Sequence, residues 1–179
     1  MRIRDNRKHF IVFYMLGFLG GILYTNIVSK DYVAVIGIFN DYFLNQYIQT
    51  ELVTQEYLWY ILRIRVIPLA AIAVIGCTRI RKGAVVCFLL WTGFLSGMLF
   101  TSAVIKMGIK GIILCLIAVT PQFVFYIMGY VIVLWCLYTY PISKWNFSKI
   151  AVVILAVASG IVLECYVNPI LVKLFLKTI

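Results

Sequence analysis

The sequence predicts an all-α fold, a polytopic bundle of about five transmembrane helices with one or two interfacial amphipathic helices. Three observations predict it: of the 179 residues, 64% are hydrophobic and 12% are charged, and the mean hydropathy is +1.05. Such a chain has too little polar surface to cover a water-soluble core, so the bilayer must be its solvent. Spans of about 20 residues each use nearly the whole length, which predicts a single membrane domain over 1–179.

Apolar runs separated by short polar segments predict the five spans. The first follows a basic leader; it is too long for a signal-peptide core and lacks a small-residue cleavage site, so we expect it to be retained. The second and third are joined by a basic cluster with almost no loop and should form a tight helical hairpin. The predicted spans are about 10–28, 57–78, 83–105, 112–138 and 150–168.

Two segments outside the spans have amphipathic patterns. In the first, 30–56, three aromatic side chains recur at four-residue spacing among polar ones; they are Phe39, Phe43 and Tyr47. This pattern predicts either a helix lying on the membrane or a loop whose aromatic side chains enter the headgroup region. Asn168 and Pro169 should end the fifth span, and the tail 169–179 then forms a second interfacial helix.

Small residues at four-residue spacing occur in the third span. Gly93 and Gly97 in GFLSG match the small-xxx-small pattern, which lets two membrane helices approach closely. This pattern predicts a close helix contact on that face of the span.

The distribution of cationic residues predicts the orientation of the chain. With the N-terminus in the cytoplasm, the inner segments hold nine of the sixteen Lys and Arg residues, at positions 2, 4, 7, 8, 79, 81, 82, 144 and 149. The outer segment 30–56 holds four of the six carboxylates and a single lysine. Because cytoplasmic loops carry the excess of cations, we expect a multi-pass cell-membrane protein with its N-terminus inside and its C-terminus outside.

Composition and spacing also exclude several functions. The net charge of +10 comes from short clusters between apolar runs, so we expect contact with lipid headgroups and no nucleic acid. The five cysteines have no CxxC or CxxxC spacing, so we expect no metal site and no disulfide framework. The sequence has no recognisable nucleophile and base, carboxylate pair, histidine cluster or phosphate loop, so we expect no enzyme, no catalytic residue and no cofactor.

Polar side chains inside the spans are the best functional candidates. Each costs about 2.5–3.5 kcal/mol at a helix centre unless it finds a partner. Glu164, about one turn from the outer end of the fifth span, falls at a similar depth to Arg63 and Arg65 in the second. Either Glu164 pairs with one of these arginines, or all three side chains extend to the outer interface.

A second candidate site lies in the fourth span. Pro121 leaves the carbonyl of Ile117 without its usual helical donor, and Gln122 brings an amide to the same depth. Neighbouring helices or water must satisfy both groups. The pair therefore indicates either a structural kink or a polar seam for a partner or a permeant.

The run GIKGIILCLIAVTPQFVFYIMGY, Gly108 to Tyr130, resembles a segment of the stage II sporulation protein M family. The hairpin RIRKGAVVCF, the stretch LECYVNP and the order of the spans agree, and the resemblance covers most of the chain from about residue 56. The matching positions are Lys110, Gly111, Pro121, Gln122, Glu164, Tyr166 and Pro169. The chain departs from the family at Met128 and Gly129, where relatives often carry another proline, and Arg63 and Arg65 are not part of the family pattern.

The resemblance implies a non-enzymatic membrane scaffold at the sporulation septum. Members of that family act in forespore engulfment with septal peptidoglycan hydrolases, the stage II sporulation proteins D and P, and are thought to anchor or localise them. The competing interpretation is a subunit of a membrane transporter or channel, with a polar path near Gln122 that Arg63, Arg65 and Glu164 would also line. Either role is compatible with a homo-oligomer.

Overall fold

The computed structural model of the protein describes residues 2–28, 39–49, 54–76, 78, 80–140, 143 and 145–178. Over these residues the regular secondary structure is helical, without a strand, which confirms the all-α prediction. Five helices are long and apolar enough to cross a membrane, and many of their large apolar side chains are exposed, as lipid contact requires. The chain is a multi-pass membrane protein.

The helices follow the apolar runs of the sequence and extend slightly beyond them. In chain order they are α1 (Arg2–Ile27), α2 (Asp41–Gln49), α3 (Thr54–Gly76), α4 (Arg81–Met107), α5 (Ile109–Thr139), α6 (Phe147–Val162), a π-helical turn (Leu163–Val167) and α7 (Asn168–Thr178). A four-residue connection separates α3 from α4, and the predicted tight hairpin stays a prediction. Gly108 alone joins α4 to α5, and its φ of +59° is the left-handed conformation that glycine adopts without strain.

The prediction that the helix of the fifth span ends at Asn168 and Pro169 is wrong. Helix α6 passes through the π turn into α7 without a break and forms one 32-residue helix over Phe147–Thr178. A proline inside a helix lacks an N–H, and its ring crowds the preceding turn. The π turn widens the helix just before Pro169, and the Asn168 N–H donates to the Leu163 carbonyl, so the chain accommodates the ring and stays helical. The interfacial placement of the tail stays a prediction.

The described part of the segment 30–56 contains helix α2, which favours a helix over a loop there. Phe39, just before α2, is buried, whereas Phe43 is 49% exposed. Tyr47 is half-buried, and this burial raises the pKa of its phenol. Residues 30–38 and 50–53 lie outside the described residues, and the contact of α2 with a membrane surface stays a prediction.

The chain forms two compact units, and the first contains residues 1–49 and 86–115. In this unit α1 packs closely against α4. A methyl group added at Gly93 or Gly97 would collide with a backbone oxygen of α1, and one added at Gly17 or Gly21 would collide with a backbone oxygen of α4. The Tyr14 and Ser96 hydroxyls share a hydrogen bond of 2.8 Å across this contact. The predicted close helix contact is therefore confirmed.

The second unit contains residues 50–85 and 116–178, with its apolar core between α3, α5 and α6. Helices α5 and α6 run antiparallel and are in contact at two points, and each helix supplies the glycine at one of these points. A Cβ at Gly129 would lie 3.3 Å from Val157, and one at Gly160 would lie 2.6 Å from the Tyr126 ring. The missing side chain at Gly160 therefore lets the Tyr126 ring lie directly against α6.

Candidate functional site

Glu164 forms an ion pair with Arg65 in the interior of the second unit. The Arg65 Nε donates to Glu164 Oε2 at 2.9 Å, and its Nη2 donates to Oε1. The Arg65 side chain is 33% exposed, and the Glu164 side chain is 12% exposed. A guanidinium that donates to both oxygens of one carboxylate is the strongest common form of side-chain ion pair, because its two parallel hydrogen bonds fix both groups in one plane.

Two tyrosines of α5 complete the arrangement. The Tyr126 hydroxyl donates to Glu164 Oε2 at 2.6 Å, and the Arg65 guanidinium lies 4.8 Å from the centre of the Tyr126 ring. The Tyr130 hydroxyl donates to the backbone carbonyl of Arg65 at 3.2 Å. We refer to Arg65, Tyr126, Tyr130 and Glu164 as the mid-helix cluster. It joins α3, α5 and the π turn through polar contacts.

The cluster lies near the middle of each helix that contributes to it. Arg65 is central in α3, and Glu164 is close to the middle of the continuous helix Phe147–Thr178. The helix does not end at Asn168, so Glu164 lies in mid-helix, while its predicted depth about one turn from the outer end of the fifth span stays a prediction. A charge at the centre of a membrane helix is costly, so an ion pair there must be well satisfied to persist.

The pairing prediction for Glu164 is confirmed, with Arg65 as the partner. Arg63 is exposed on another face of α3, and no ion pair joins it to Glu164 in the described part of the chain. Residues two apart on a helix point about 200° away from each other, so only one of the two arginines can face the π turn. The alternative, in which all these side chains extend to the interface, does not hold for Arg65 and Glu164.

The side chains of the cluster hydrogen-bond to one another, which limits the chemistry that the cluster can perform. Both oxygens of Glu164 accept hydrogen bonds from the chain itself, and the charges of Arg65 and Glu164 cancel. Across the described residues, no group of three His, Cys, Asp or Glu side chains could hold a metal ion. The arrangement can fix three helices relative to one another within the second unit.

Sequence reasoning missed the two tyrosines of the cluster. They lie in the run 108–130, and with Gln122 they recur at four-residue spacing on one face of α5: Gln122, Tyr126 and Tyr130. That spacing was a usable signal, because polar side chains one turn apart within a span share a face.

The other candidate positions that the sequence analysis singled out are not gathered into the cluster. Lys110 and Tyr166 are exposed, and Pro169 is buried. Gly111 lies in the first unit, where a methyl group would collide with the backbone oxygen of Ala103, so it serves close packing of the α4–α5 turn. Pro121 is half-buried at an open apolar groove of about 530 Å³. The groove lies between α5 and α7, lined by Leu116, Ile117, Thr120, Pro121, Leu171, Leu174, Phe175 and Thr178.

Gln122 is only 4% exposed, and its amide is half satisfied. Its Nε2 donates to the carbonyl of Ala118, while its Oε1 is buried without a hydrogen-bond partner in the described structure. The side-chain oxygen of Asn168 is buried and unpartnered in the same way.

Comparison with protein families, curated proteins and solved structures finds no match to this chain.

Proposed function

We propose that this protein is a non-enzymatic membrane scaffold similar to the stage II sporulation protein M family. In this role it anchors or localises septal peptidoglycan hydrolases, similar to stage II sporulation proteins D and P, while the forespore is engulfed. The observation that carries the proposal is the mid-helix cluster: Glu164, the one carboxylate within the predicted spans, is used to tie helices together. A scaffold needs helices that are fixed in this way.

The sequence resemblance supplies the identity of the partners. Its longest run lies on α5, and Glu164 lies in its second stretch, LECYVNP. Tyr126 from the first stretch and Glu164 from the second are joined by a hydrogen bond of 2.6 Å. The contact between the two stretches supports the idea that they form one structural element.

The proposed topology places the N-terminus in the cytoplasm and the C-terminus outside, at the sporulation septum. The segment 30–56, the α4–α5 turn and α7 would then face the space between the septal membranes, where the hydrolases act. Lys110 and Tyr166 are exposed matching positions and are the first candidates for partner contact. Anionic lipid headgroups would bind the cationic residues of the inner loops.

The decisive experiment is deletion of the gene in the native host, followed by microscopy of the septal membrane. We expect sporangia to stall with a flat or bulging septum, and fluorescent fusions of the septal hydrolases to lose their septal localisation. Normal engulfment in the deletion strain would overturn the proposal. Normal engulfment together with a lost ion or solute flux would favour the transporter interpretation.

Complementation separates partner contact from folding. The wild-type gene should restore engulfment, and Lys110→Ala should reduce it at unchanged protein abundance, because Lys110 is exposed. The matched control is Lys177→Ala, which changes another exposed lysine that is not part of the resemblance. Equal effects of the two substitutions would argue against a specific role for Lys110.

A further inference from the structure

The start of α4 lies against the end of α5 in the second unit. The Arg81 guanidinium lies 4.5 Å from the centre of the Tyr140 ring, and the Lys82 ammonium lies 5.9 Å from the centre of the Tyr138 ring. The negative face of an aromatic ring attracts a cation, so these contacts hold both cations at the end of α5. All four residues belong to the second unit.

The start of α6 lies at the same end of α5. The Ser143 N–H donates to the Thr139 carbonyl at 3.4 Å, which keeps Ser143 close to the last turn of α5. The Lys149 Nζ, in the first turn of α6, donates to the Ser143 Oγ at 2.9 Å. A third cation is therefore held at the end of α5. We refer to Arg81, Lys82 and Lys149 as the basic end.

The chain around the basic end supplies positive charge only. The segments 77–83 and 140–150 contain five Lys or Arg residues and no Asp or Glu. Among the described carboxylates of the second unit, Glu164 pairs with Arg65 in mid-helix, and Glu56 lies in the first turn of α3. That turn is about 30 Å along the helix axis from the end of α3 that precedes α4. The side-chain charges therefore leave this end of the unit positive.

Large apolar side chains are exposed beside these cations. Ile80 is 72% exposed just before Arg81, and Phe147 is 83% exposed at the first position of α6. Tyr140 and Trp145 are exposed as well. Such aromatic side chains are typical of the headgroup level of a bilayer. A free anion would leave the apolar side chains in water, whereas a phospholipid can cover them with its acyl chains while its phosphate contacts the cations.

We propose that the basic end binds one anionic phospholipid. Its phosphate lies at Arg81, Lys82 and Lys149, and its acyl chains cover Phe147 and Ile80. Guanidinium and ammonium groups donate charge-assisted hydrogen bonds to phosphate oxygens, and the ring contacts hold two of these groups in place before the lipid arrives. The site specifies the headgroup contact of the proposed topology and rests on that part of the proposed function, because anionic lipid is concentrated in the cytoplasmic leaflet.

The test measures lipid binding to the purified full-length protein in detergent. Dioctanoyl-phosphatidylglycerol and dioctanoyl-phosphatidylcholine are titrated separately, and native mass spectrometry gives the Kd for the first bound lipid. We expect phosphatidylglycerol to bind at least about tenfold more tightly, because each cation near the phosphate favours the anionic headgroup. Equal Kd values for the two lipids would overturn the proposal. Displacement of phosphatidylglycerol by inorganic phosphate, at constant ionic strength, would overturn the choice of a lipid and indicate a site for a free anion.

Matched variants locate the binding. Arg81→Gln and Lys82→Gln should each raise the Kd for phosphatidylglycerol about fivefold. The controls are Arg63→Gln and Lys177→Gln, which remove exposed cations of the same unit and should change the Kd by less than about twofold. Both control positions lie about 20 Å or more along their helices from the basic end.

Equal effects at the site and control positions would mean that only net charge matters and would overturn the assignment. An unchanged Kd in both site variants would overturn it as well. The assay contains no septal partner, so a failure of lipid binding leaves the scaffold role standing. Normal engulfment in the deletion strain, in turn, leaves the lipid site standing.

Discussion

Removing one charge of the Arg65–Glu164 pair should destabilise the protein strongly. Glu164→Gln keeps the shape of the side chain and can still accept the Tyr126 hydroxyl, but it leaves the Arg65 guanidinium without its counter-charge. Breaking a fully buried pair from one side costs about 3–5 kcal/mol. Because the Arg65 side chain is 33% exposed, water reduces this cost, and we expect about 2–3 kcal/mol.

The loss should be visible in thermal unfolding. For a chain of this size, a change of 2–3 kcal/mol lowers Tm by roughly 4–12 °C. The assay is fluorescence-detected size exclusion of detergent-solubilised protein after heating. Arg65→Gln should lower Tm similarly, and its matched control is Arg63→Gln, which removes the same positive charge from an exposed position of the same helix and should change Tm by less than about 2 °C.

A double-mutant cycle separates the ion pair from other effects of the substitutions. Glu164→Gln, Arg65→Gln and the double variant should give a coupling free energy of about 1–3 kcal/mol, because the two side chains are in direct contact. Strictly additive effects would refute the reasoning. A control effect of Arg63→Gln as large as that of Arg65→Gln would refute it as well.

Three further predictions concern hydrogen bonds and glycines. Tyr126→Phe removes a hydrogen bond to a carboxylate and should lower the free energy of unfolding by about 1.5–3 kcal/mol. Tyr130→Phe removes a hydrogen bond to a neutral carbonyl and should lower it by about 0.5–1.5 kcal/mol in the same assay. Equal losses for the two variants would contradict the geometry. Gly21→Ala places a methyl group against the backbone of α4 and should abolish the monodisperse peak in size exclusion, while Gly20→Ala, whose methyl would lie 3.9 Å from its nearest neighbour, should preserve it. Gly108→Ala should cost about 1–2 kcal/mol in thermal unfolding, because its φ of +59° strains any residue with a Cβ.

Local patterns of the sequence were sufficient to predict the helices. Hydropathy and length predict a membrane helix because its backbone hydrogen bonds are all internal, so no distant partner is needed. The close-packing motif at Gly93 and Gly97 was also predictable, but its partner helix was not. Gly17 and Gly21 of α1 form the other side of that contact, and only the packed structure shows that the two pairs of glycines meet.

The end of the fifth helix could not be predicted from local pattern. Asn168 followed by Pro169 is typical of a helix end, since proline cannot donate to the preceding turn. The π turn Leu163–Val167 accommodates the ring of Pro169 without ending the helix. Glu164 and Cys165 within this turn are buried. Tertiary packing stabilises this turn, so a rule based on neighbouring residues alone gives the wrong end.

The sequence by itself determined that the protein is a helical membrane protein, and it left Glu164 either paired with Arg63 or Arg65 of the second span or extended to the outer interface. The tertiary structure decided that the partner is Arg65, that Tyr126 completes the contact, and that Glu164 lies in mid-helix. The physical reason is that hydropathy is a property of each segment, whereas the meeting of two side chains depends on the rotation and register of separate helices. That rotation is set by packing, for example at Gly160, where the missing side chain lets the Tyr126 ring approach α6.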